Sequence, residues 1–345
     1  MLEPDAILKE LCPQRPKIEV PQSWSDFAQL SVLVTGAGGS IGSAICRMLA
    51  KVPVRRIILA GRSELGLFEL ENELHASPVS PVIVDITDVP RLTNVMTRHK
   101  PDVVIHAGAH KHVPLCEANA GEAVKNNVFG TINVIDASFH ANVKTVVIVS
   151  TDKAIQPTSV MGATKRAAEA YATWRSSHGM EIACVRFGNV LGSSGSVFGI
   201  FQRQIEKGEP ITITDENMDR FMMSAQDAAA LSIYAASDGT SGRIITVEMG
   251  TPVKIVDLAR AMMKQAGKEV PIRFTGIRPG ERLHEELHNG EMESLGGGVL
   301  AYPPERFSSD SIQRMTLGLR EVVDAENDDV REALRMFVPE YAPSK

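Results

Sequence analysis

The stretch Ser31-Val-Leu-Val-Thr-Gly-Ala-Gly-Gly-Ser-Ile-Gly-Ser-Ala-Ile45 decides the fold. Residues 31–35 form a short apolar run, as a strand buried on both faces requires. From Ser40 onward the apolar residues recur at helical spacing. Glycines at 36, 39 and 42 lie between the two. Without a Cβ they let the backbone turn tightly and approach a ligand closely. At a helix start that ligand is an anion, because the first N–H groups have no intrahelical acceptor. Strand, glycine spacing and helix in that order point to a dinucleotide pyrophosphate. A glycine turn without a ligand is the bland alternative.

The alternation continues outward from this unit. Strands are expected at Arg56–Ala60, Val82–Val84, Val103–His106 and Val146–Ser150, with helical patterns between them, the first at Glu64–Leu74. Apolar strands alternating with helices give an α/β chain, a Rossmann-type doubly wound parallel sheet. Past Val190 the alternation loosens. Ile211–Thr214 and Ile244–Glu248 read as strands, Gln226–Ala236 and Val256–Gln265 as helices. Residues 289–309, rich in glycine, proline and serine, read as a long loop, and Asp324–Phe337 as an amphipathic helix. The expected organisation is a lead-in at 1–30, with one short helix at Asp5–Leu11. A nucleotide-binding domain follows at 31–190, to which parts of 226–250 return. A smaller α/β lid, mainly substrate-binding, covers 191–345 and lacks the means to build a core alone.

Composition narrows the function classes. The 345 residues are 43% hydrophobic and 23% charged, ordinary for a globular protein. With 36 Lys and Arg against 42 Asp and Glu the net charge is −6, unlike a nucleic-acid-binding surface. The four cysteines, Cys12, Cys46, Cys116 and Cys184, form no C-x-x-C pair and read as reduced thiols of a cytoplasmic protein. No run approaches the ~20 apolar residues of a membrane-spanning helix, and the start Met-Leu-Glu-Pro-Asp-Ala does not resemble a signal peptide.

At the end of the second strand stands Ala60-Gly61-Arg62-Ser63-Glu64. An NAD site usually carries an acidic residue there, for the ribose 2′-hydroxyl. Gly61 removes that carboxylate, and Arg62 offers a bidentate partner for a 2′-phosphate. This favours NADP, with NAD as the alternative should Glu64 or the backbone take the ribose. Asp85, after the third strand, is placed to meet the adenine amino group or to make a turn. After the fifth strand come Ser150-Thr151-Asp152-Lys153 and then Met161-Gly162-Ala163-Thr164-Lys165. A hydroxyl, a carboxylate and an amine in succession at the carboxyl edge of a parallel sheet suit proton transfer.

These features resemble the extended short-chain dehydrogenase/reductases. The resemblance sharpens with Gly36–Ser43, His110–Glu117, Asn127–Thr131, Ser150–Ala154, Val160–Arg166, Arg186–Gly192 and Arg278-Pro-Gly-Glu281. Together, over about residues 5–342, they are similar to UDP-N-acetylglucosamine 4,6-dehydratases of the capsule and flagellin-glycosylation type. The large members of that group carry an N-terminal membrane region, and residues 1–30 resemble the lead-in to their catalytic half. Met161 stands where most short-chain dehydrogenases have a tyrosine, which leaves the configuration at C5 open.

The resemblance implies oxidation at C4, loss of water across C5 and C6, and hydride return to C6. It implies Thr151 at O4, Asp152 as the acid for the C6 hydroxyl, and Lys153 as the C5 base, its pKa lowered by burial and by Lys165. Met161 can do no proton chemistry. Lys165 is expected on the nicotinamide ribose, positioned by Asn127. The cofactor contacts expected are Gly36, Gly39, Ser40, Ile41, Gly42, Arg62, Ser63, Asp85, Ile86, Ala107, Gly108, Asn127 and Lys165. His110 and Lys111 are expected near the sugar, and Asn189, Arg220, Arg278 and Glu281 on the UDP, with an interdomain ion pair as the alternative for Arg220. The resemblance further implies a homo-oligomer built through helices around Asn119–Ala137 and Met161–Ser177.

His106, His110, His112 and Cys116 satisfy a crude zinc spacing, but Lys111 among them opposes a cation, and no metal is expected. A 4-epimerase or 4-reductase would ordinarily want the tyrosine. A non-catalytic cofactor-binding protein would not need Thr151, Asp152, Lys153 and Lys165.

Overall fold

The computed structural model describes residues 2–13, 18, 27–236, 240–287 and 291–343. Helix α1 (Pro4–Leu11) is followed by β1 (Ser31–Thr35), α2 (Ser40–Leu49), β2 (Arg56–Gly61), α3 (Glu64–Glu73), β3 (Val79–Ile83), α4 (Val89–His99) and β4 (Val103–His106). Most of the expected lead-in lies outside the described residues. Short helices α5 (Val113–Ala118) and α6 (Ala120–Ala123) run into a π-helical turn, Val124–Phe129, then α7 (Gly130–His140) and β5 (Thr145–Val149). A 3-10 turn, Asp152–Ala154, precedes α8 (Val160–Ser176), β6 (Glu181–Val185), β7 (Asn189–Val190), α9 (Val197–Lys207), β8 (Ile211–Ile213), β9 (Asp219–Arg220) and β10 (Met222–Met223). The remainder is α10 (Ala225–Tyr234), β11 (Ile244–Val247), β12 (Val253–Lys254), α11 (Ile255–Ala266), β13 (Ile272–Phe274), β14 (Glu293–Gly296), β15 (Val299–Ala301), α12 (Ser309–Val322) and α13 (Asn327–Phe337).

The main sheet has nine strands in the order β14-β15-β11-β6-β5-β4-β1-β2-β3. β1 to β6 and β11 pair in parallel, with Val34 opposite Ile105 and Val147 opposite Ala183. This is the doubly wound order, and the winding reverses between β1 and β4, where such sheets open a crevice. β1, β4 and β5 are buried throughout, because helices cover both faces. One apolar cluster packs α4, α7 and α8 on one face, and a second packs α2, α3 and α10 on the other. A third joins α1 to α9, β8 and α11 around Phe201 and Met262. β3 begins at Val79, earlier than the apolar pattern suggests, because an edge strand tolerates Pro81 without losing a ladder bond.

The long loop expected at 289–309 contains a hairpin instead. β14 and β15 pair antiparallel, and β15 continues the sheet alongside β11. Gly296, Gly297 and Gly298 all have positive φ and make its turn, so the glycines mark a reversal between strands. Helix α12 has no counterpart in the sequence reading, and α13 begins at Asn327, later than expected. Both pack against α8, and α13 also packs against α6, burying Met315, Leu319, Val330 and Leu334. The C-terminal helices thus cover part of the surface of α6 and α8. No helix among the described residues is long and apolar enough to cross a membrane.

Helix α8 is buried from Val160 to Thr173, which places ionic groups in the core. Glu169 is fully buried. It accepts from Arg186 through both oxygens, 2.8 Å at Nε and 2.6 Å at Nη2, and from Ser150 Oγ at 2.5 Å. Burial pushes its carboxyl up, but Arg186 outweighs this and holds it below the usual range. Removing one member of such a pair leaves a buried charge uncompensated. Glu169→Ala should therefore destabilise the fold by about 3–5 kcal/mol. Urea unfolding checks this, and a loss under about 1 kcal/mol, the value of a surface pair, would show that the pair does not hold the core.

Candidate functional site

The carboxyl ends of β1, β2, β4 and β5 converge on one crevice. After β1, Gly36 has a φ of +68°, which favours glycine. A Cβ there would come within 2.8 Å of Ala107 and Gly108 backbone atoms after β4. A Cβ at Gly42 would lie 2.2 Å from the Gly36 carbonyl oxygen. The loop is thus drawn against the first turn of α2, where Gly39 is the cap and no acidic side chain follows. Free N–H groups at this end suit an anion. Ser40 Oγ accepts from the Ser194 backbone N at 2.9 Å, so the 191–196 loop reaches over the glycine turn.

At the end of β2, Arg62 Nη1 donates to Asp85 Oδ2 at 3.3 Å, with Arg62 half exposed. Asp85 also accepts from Thr87. Burial raises its pKa, but the Thr87 and Arg62 contacts prevail and lower it. Ser63 caps α3 by accepting from Gly66 N. Ile86 packs on Gly130, where any Cβ would meet its side chain at 2.6 Å.

His106 lies buried at the end of β4. Thr131 Oγ donates to the Asn127 carbonyl at 2.6 Å, so its single proton is committed. His106 Nε2 therefore donates to Thr131, at 3.1 Å, and His106 Nδ1 accepts from Thr35 at 2.6 Å. Both ring nitrogens are engaged, and no cluster of three His, Cys, Asp or Glu capable of holding a metal ion occurs among the described residues. The π-helical turn aims Asn127 at the 107–112 loop. Its Oδ1 accepts from His110 N at 2.8 Å, and its Nδ2 donates to His110 O and to Thr164 Oγ. Asn127 thus fixes His110 to α8. Lys111 Nζ donates to Ser193 Oγ at 3.3 Å, and burial lowers its pKa.

Beyond β5 the chain turns sharply. Thr151 Oγ donates to Asp152 Oδ1 at 2.9 Å. Lys153 Nζ meets three acceptors: Asp152 Oδ1 at 3.0 Å, Asn189 Oδ1 at 3.0 Å and Glu285 Oε1 at 3.2 Å. Asp152 Oδ2 is buried without a partner. Burial raises the Asp152 pKa beyond what Lys153 can offset, and Glu285 raises it further. The turn is pressed against α8 at Gly162, where a Cβ would lie 2.2 Å from the Lys153 carbonyl oxygen. Met161 is buried in the first turn of α8.

Several expected roles change. Lys153 was expected with a lowered pKa. Burial does lower it, but the Asp152 and Glu285 carboxylates outweigh burial and Arg220, so the amine is held as an ammonium. Lys165 does not face it. Lys165 Nζ donates to the Val149 carbonyl at 2.7 Å, and burial brings its pKa down to about 8 despite Glu169. Asn189 turns to Lys153. Arg220 is buried and donates to the carbonyls of Asp219, Leu283 and Arg282, with Nε 3.5 Å from Glu285. Its guanidinium is committed to the protein, the ion-pair alternative. Arg278 pairs with Glu281 at 2.6 Å and remains largely exposed. Glu285 was not singled out in the sequence; it follows the Arg278-Pro-Gly-Glu281 motif by four residues, and no local pattern marks it as buried.

Comparison with known proteins supplies the setting. The pattern of the polysaccharide biosynthesis protein family matches residues 32–295. The chain is 45% identical over 274 residues to the capsular polysaccharide biosynthesis protein CapD of Staphylococcus aureus, covering 76% of this chain and 46% of that protein. The chain thus spans about half the length of that relative. It is 35% identical to a UDP-glucose 4-epimerase of Rickettsia typhi, covering 79% of this chain and 82% of that one. The crystal structure of Pen from Bacillus thuringiensis superposes with a TM-score of 0.72 at 37% identity, covering 76% and 83% of the two chains.

The buried His106 carries a pH dependence. Burial first, then the charge of Lys165, lowers its pKa from 6.5 to about 3. Below pH 6.5 the unfolded chain binds a proton that the folded chain refuses, so stability is present above that pH and is lost as pH falls toward 3. Between pH 7 and pH 5 the wild type should lose about 2 kcal/mol more than His106→Asn. Urea unfolding at both pH values measures this, and equal losses would mean that His106 titrates freely in the folded state.

Proposed function

The chain belongs to the polysaccharide biosynthesis protein family, and from that premise we propose that it dehydrates a nucleotide sugar, converting UDP-N-acetylglucosamine to a UDP-4-keto-6-deoxy-N-acetylhexosamine. The observation that carries this reading is Asp152, a buried carboxyl with one oxygen unpartnered, beside Lys153 at the carboxyl edge of β5. Epimerisation at C4 needs only a hydride acceptor and a proton acceptor. Dehydration needs, in addition, an acid for the departing hydroxyl. A carboxyl whose pKa burial raises is suited to receive a proton and pass it to that hydroxyl.

The glycine loop, drawn so close to backbone at Gly36 and Gly42 that no Cβ fits, and the first turn of α2 without an acidic side chain fit a dinucleotide pyrophosphate. When bound, a nicotinamide supplies reversible hydride acceptance, so the overall reaction needs no added reductant. Arg62, half exposed at the end of β2, can exchange Asp85 for a 2′-phosphate, which supports NADP over NAD. As hydride leaves C4, Thr151, whose own proton lies toward Asp152, takes the C4 hydroxyl proton and passes one on to the Asp152 carboxylate. Asp152 protonates the leaving C6 oxygen. Lys153 rests as an ammonium, so it first releases one proton to solvent, then takes the C5 proton and returns a proton to C5 as hydride reaches C6. Met161, buried in the first turn of α8, contributes no proton. Arg278, the exposed cation of its motif, serves the diphosphate.

The Rickettsia typhi relative favours a second reading, C4 epimerisation. Incubation with UDP-N-acetylglucosamine and catalytic NADP, without reductant, separates the two by mass spectrometry. A product lighter by one water supports dehydration. An isomer of unchanged mass supports epimerisation and removes the acid role of Asp152. No product with any UDP-hexose would overturn both.

For the cofactor, Arg62→Ala should weaken NADP binding by about 10- to 100-fold, the loss of a charge-assisted bond, while leaving NAD binding little changed. Titration of intrinsic fluorescence with each cofactor reads this. Equal weakening of both would remove Arg62 from 2′-phosphate recognition.

A further inference from the structure

The Lys153 amine has an acceptor for each of its three N–H bonds, and they come from three separate segments. Asp152 belongs to the 3-10 turn, Asn189 to β7, and Glu285 to the 278–287 segment between β13 and β14. Glu285 is the most distant in sequence and among the most deeply buried, with a side chain 3% exposed. Its Oε1 faces both Lys153 Nζ and Arg220 Nε. The segment carrying it is fastened on both sides. Arg220 donates to the carbonyls of Arg282 and Leu283. Arg282 in turn donates to Thr158 Oγ1 and to the Gln156 carbonyl, on the turn that follows Lys153. A buried carboxylate costs several kcal/mol in desolvation unless well paired, yet this one is brought against the amine on which the reaction depends.

We propose that Glu285 is a positioning residue for Lys153, its carboxylate fixing the amine between Asp152 and Asn189 and deciding when that amine carries a proton. The proposal rests on the dehydratase reading for its link to turnover, but not for its link to Lys153. The groups around the amine are few. Asp152 and Glu285 favour the charged form, while Arg220 and burial oppose it. Asn189 and Thr151 are neutral. Glu285 itself is held ionised against the pull of burial by Lys153, Arg220 and Arg282. Without its charge, only Asp152 opposes burial and Arg220, and Asp152 is itself biased toward its neutral form. The amine then loses its proton more readily. Glu285 touches no reacting atom; it acts through Lys153.

The test is the titration of Lys153 in the full chain, followed by NMR of protein labelled with ¹³C at the lysine Cε. The Lys153 signal is assigned by its loss in Lys153→Met. Glu285→Gln should lower the pH at which this signal titrates by at least about one unit, the scale of a neighbouring charge. Glu285→Asp keeps the charge but withdraws it by one methylene, and its titration should fall between the other two. It also serves if Glu285→Gln does not fold. A Lys153 titration unmoved in the folded variants overturns the proposal. This readout needs no substrate, so it stands even if the wild type makes no dehydrated product. Where the wild type does turn over, the alkaline-rising limb of its kcat profile should shift to lower pH by a similar amount in Glu285→Gln. A uniform fall in kcat at every pH, with the limb unmoved, would assign Glu285 a structural role only and overturn the proposal.

Discussion

The buried pair of Glu169 and Arg186 ties the carboxyl edge of the sheet to its covering helices. Glu169 sits on α8, Arg186 just beyond β6, and Ser150, which also donates to Glu169, just beyond β5. One carboxylate thus sets the spacing of a helix and two strand ends. Lys165, one turn earlier on α8, is aimed at the Val149 carbonyl by the same placement. Around this pair the network widens. Arg166 reaches Glu305 and Glu340, and Arg186 stacks on Tyr302. The C-terminal segment is thereby bound to the helix that carries Met161 and Lys165. Buried charges of this kind are costly unless every partner is present, so the edge is held in one arrangement.

The crevice is built on that edge from segments far apart in the chain. The glycine loop and α2 supply an anion-binding end. The π-helical turn supplies Asn127, which joins the 107–112 loop to α8. The turn after β5 supplies Thr151, Asp152 and Lys153, and the 278–287 segment closes over them with Arg282 and Glu285. The protonation of Asp152 and Lys153 follows from this crowding. Burial alone would make both neutral. Two carboxylates and one nearby arginine set the balance, so that Lys153 stays charged while Asp152 is pushed toward its neutral form.

The misreadings have particular physical causes. Gly296-Gly297-Gly298 looks like loop composition, yet three positive-φ glycines also make a strand reversal, and the choice depended on whether Val299 and Ala301 had a strand to join. That strand, β11, lies some fifty positions earlier. Helix α12 was missed because its apolar residues Ile312, Met315 and Leu319 are sparse and find their cover only on α8. Arg220 and Asn189 were expected on a ligand because a cation and an amide are suited to a nucleotide. In the fold they stand against Glu285 and Lys153, neighbours set by which loops fold over β7 and β9.

What the sequence by itself determined is whatever rests on local pattern. The strand, glycine turn and helix at 31–45 required a doubly wound sheet, because period, turn residues and helix start all lie within one short window. The triplet Thr151-Asp152-Lys153 was legible as chemistry because its residue types are adjacent and its strand is short and apolar. Only the tertiary structure decided how those groups are charged and what restrains them. A pKa depends on burial and on neighbours within a few ångströms, and the deciding neighbour of Lys153, Glu285, reaches it only when the chain has folded back upon itself.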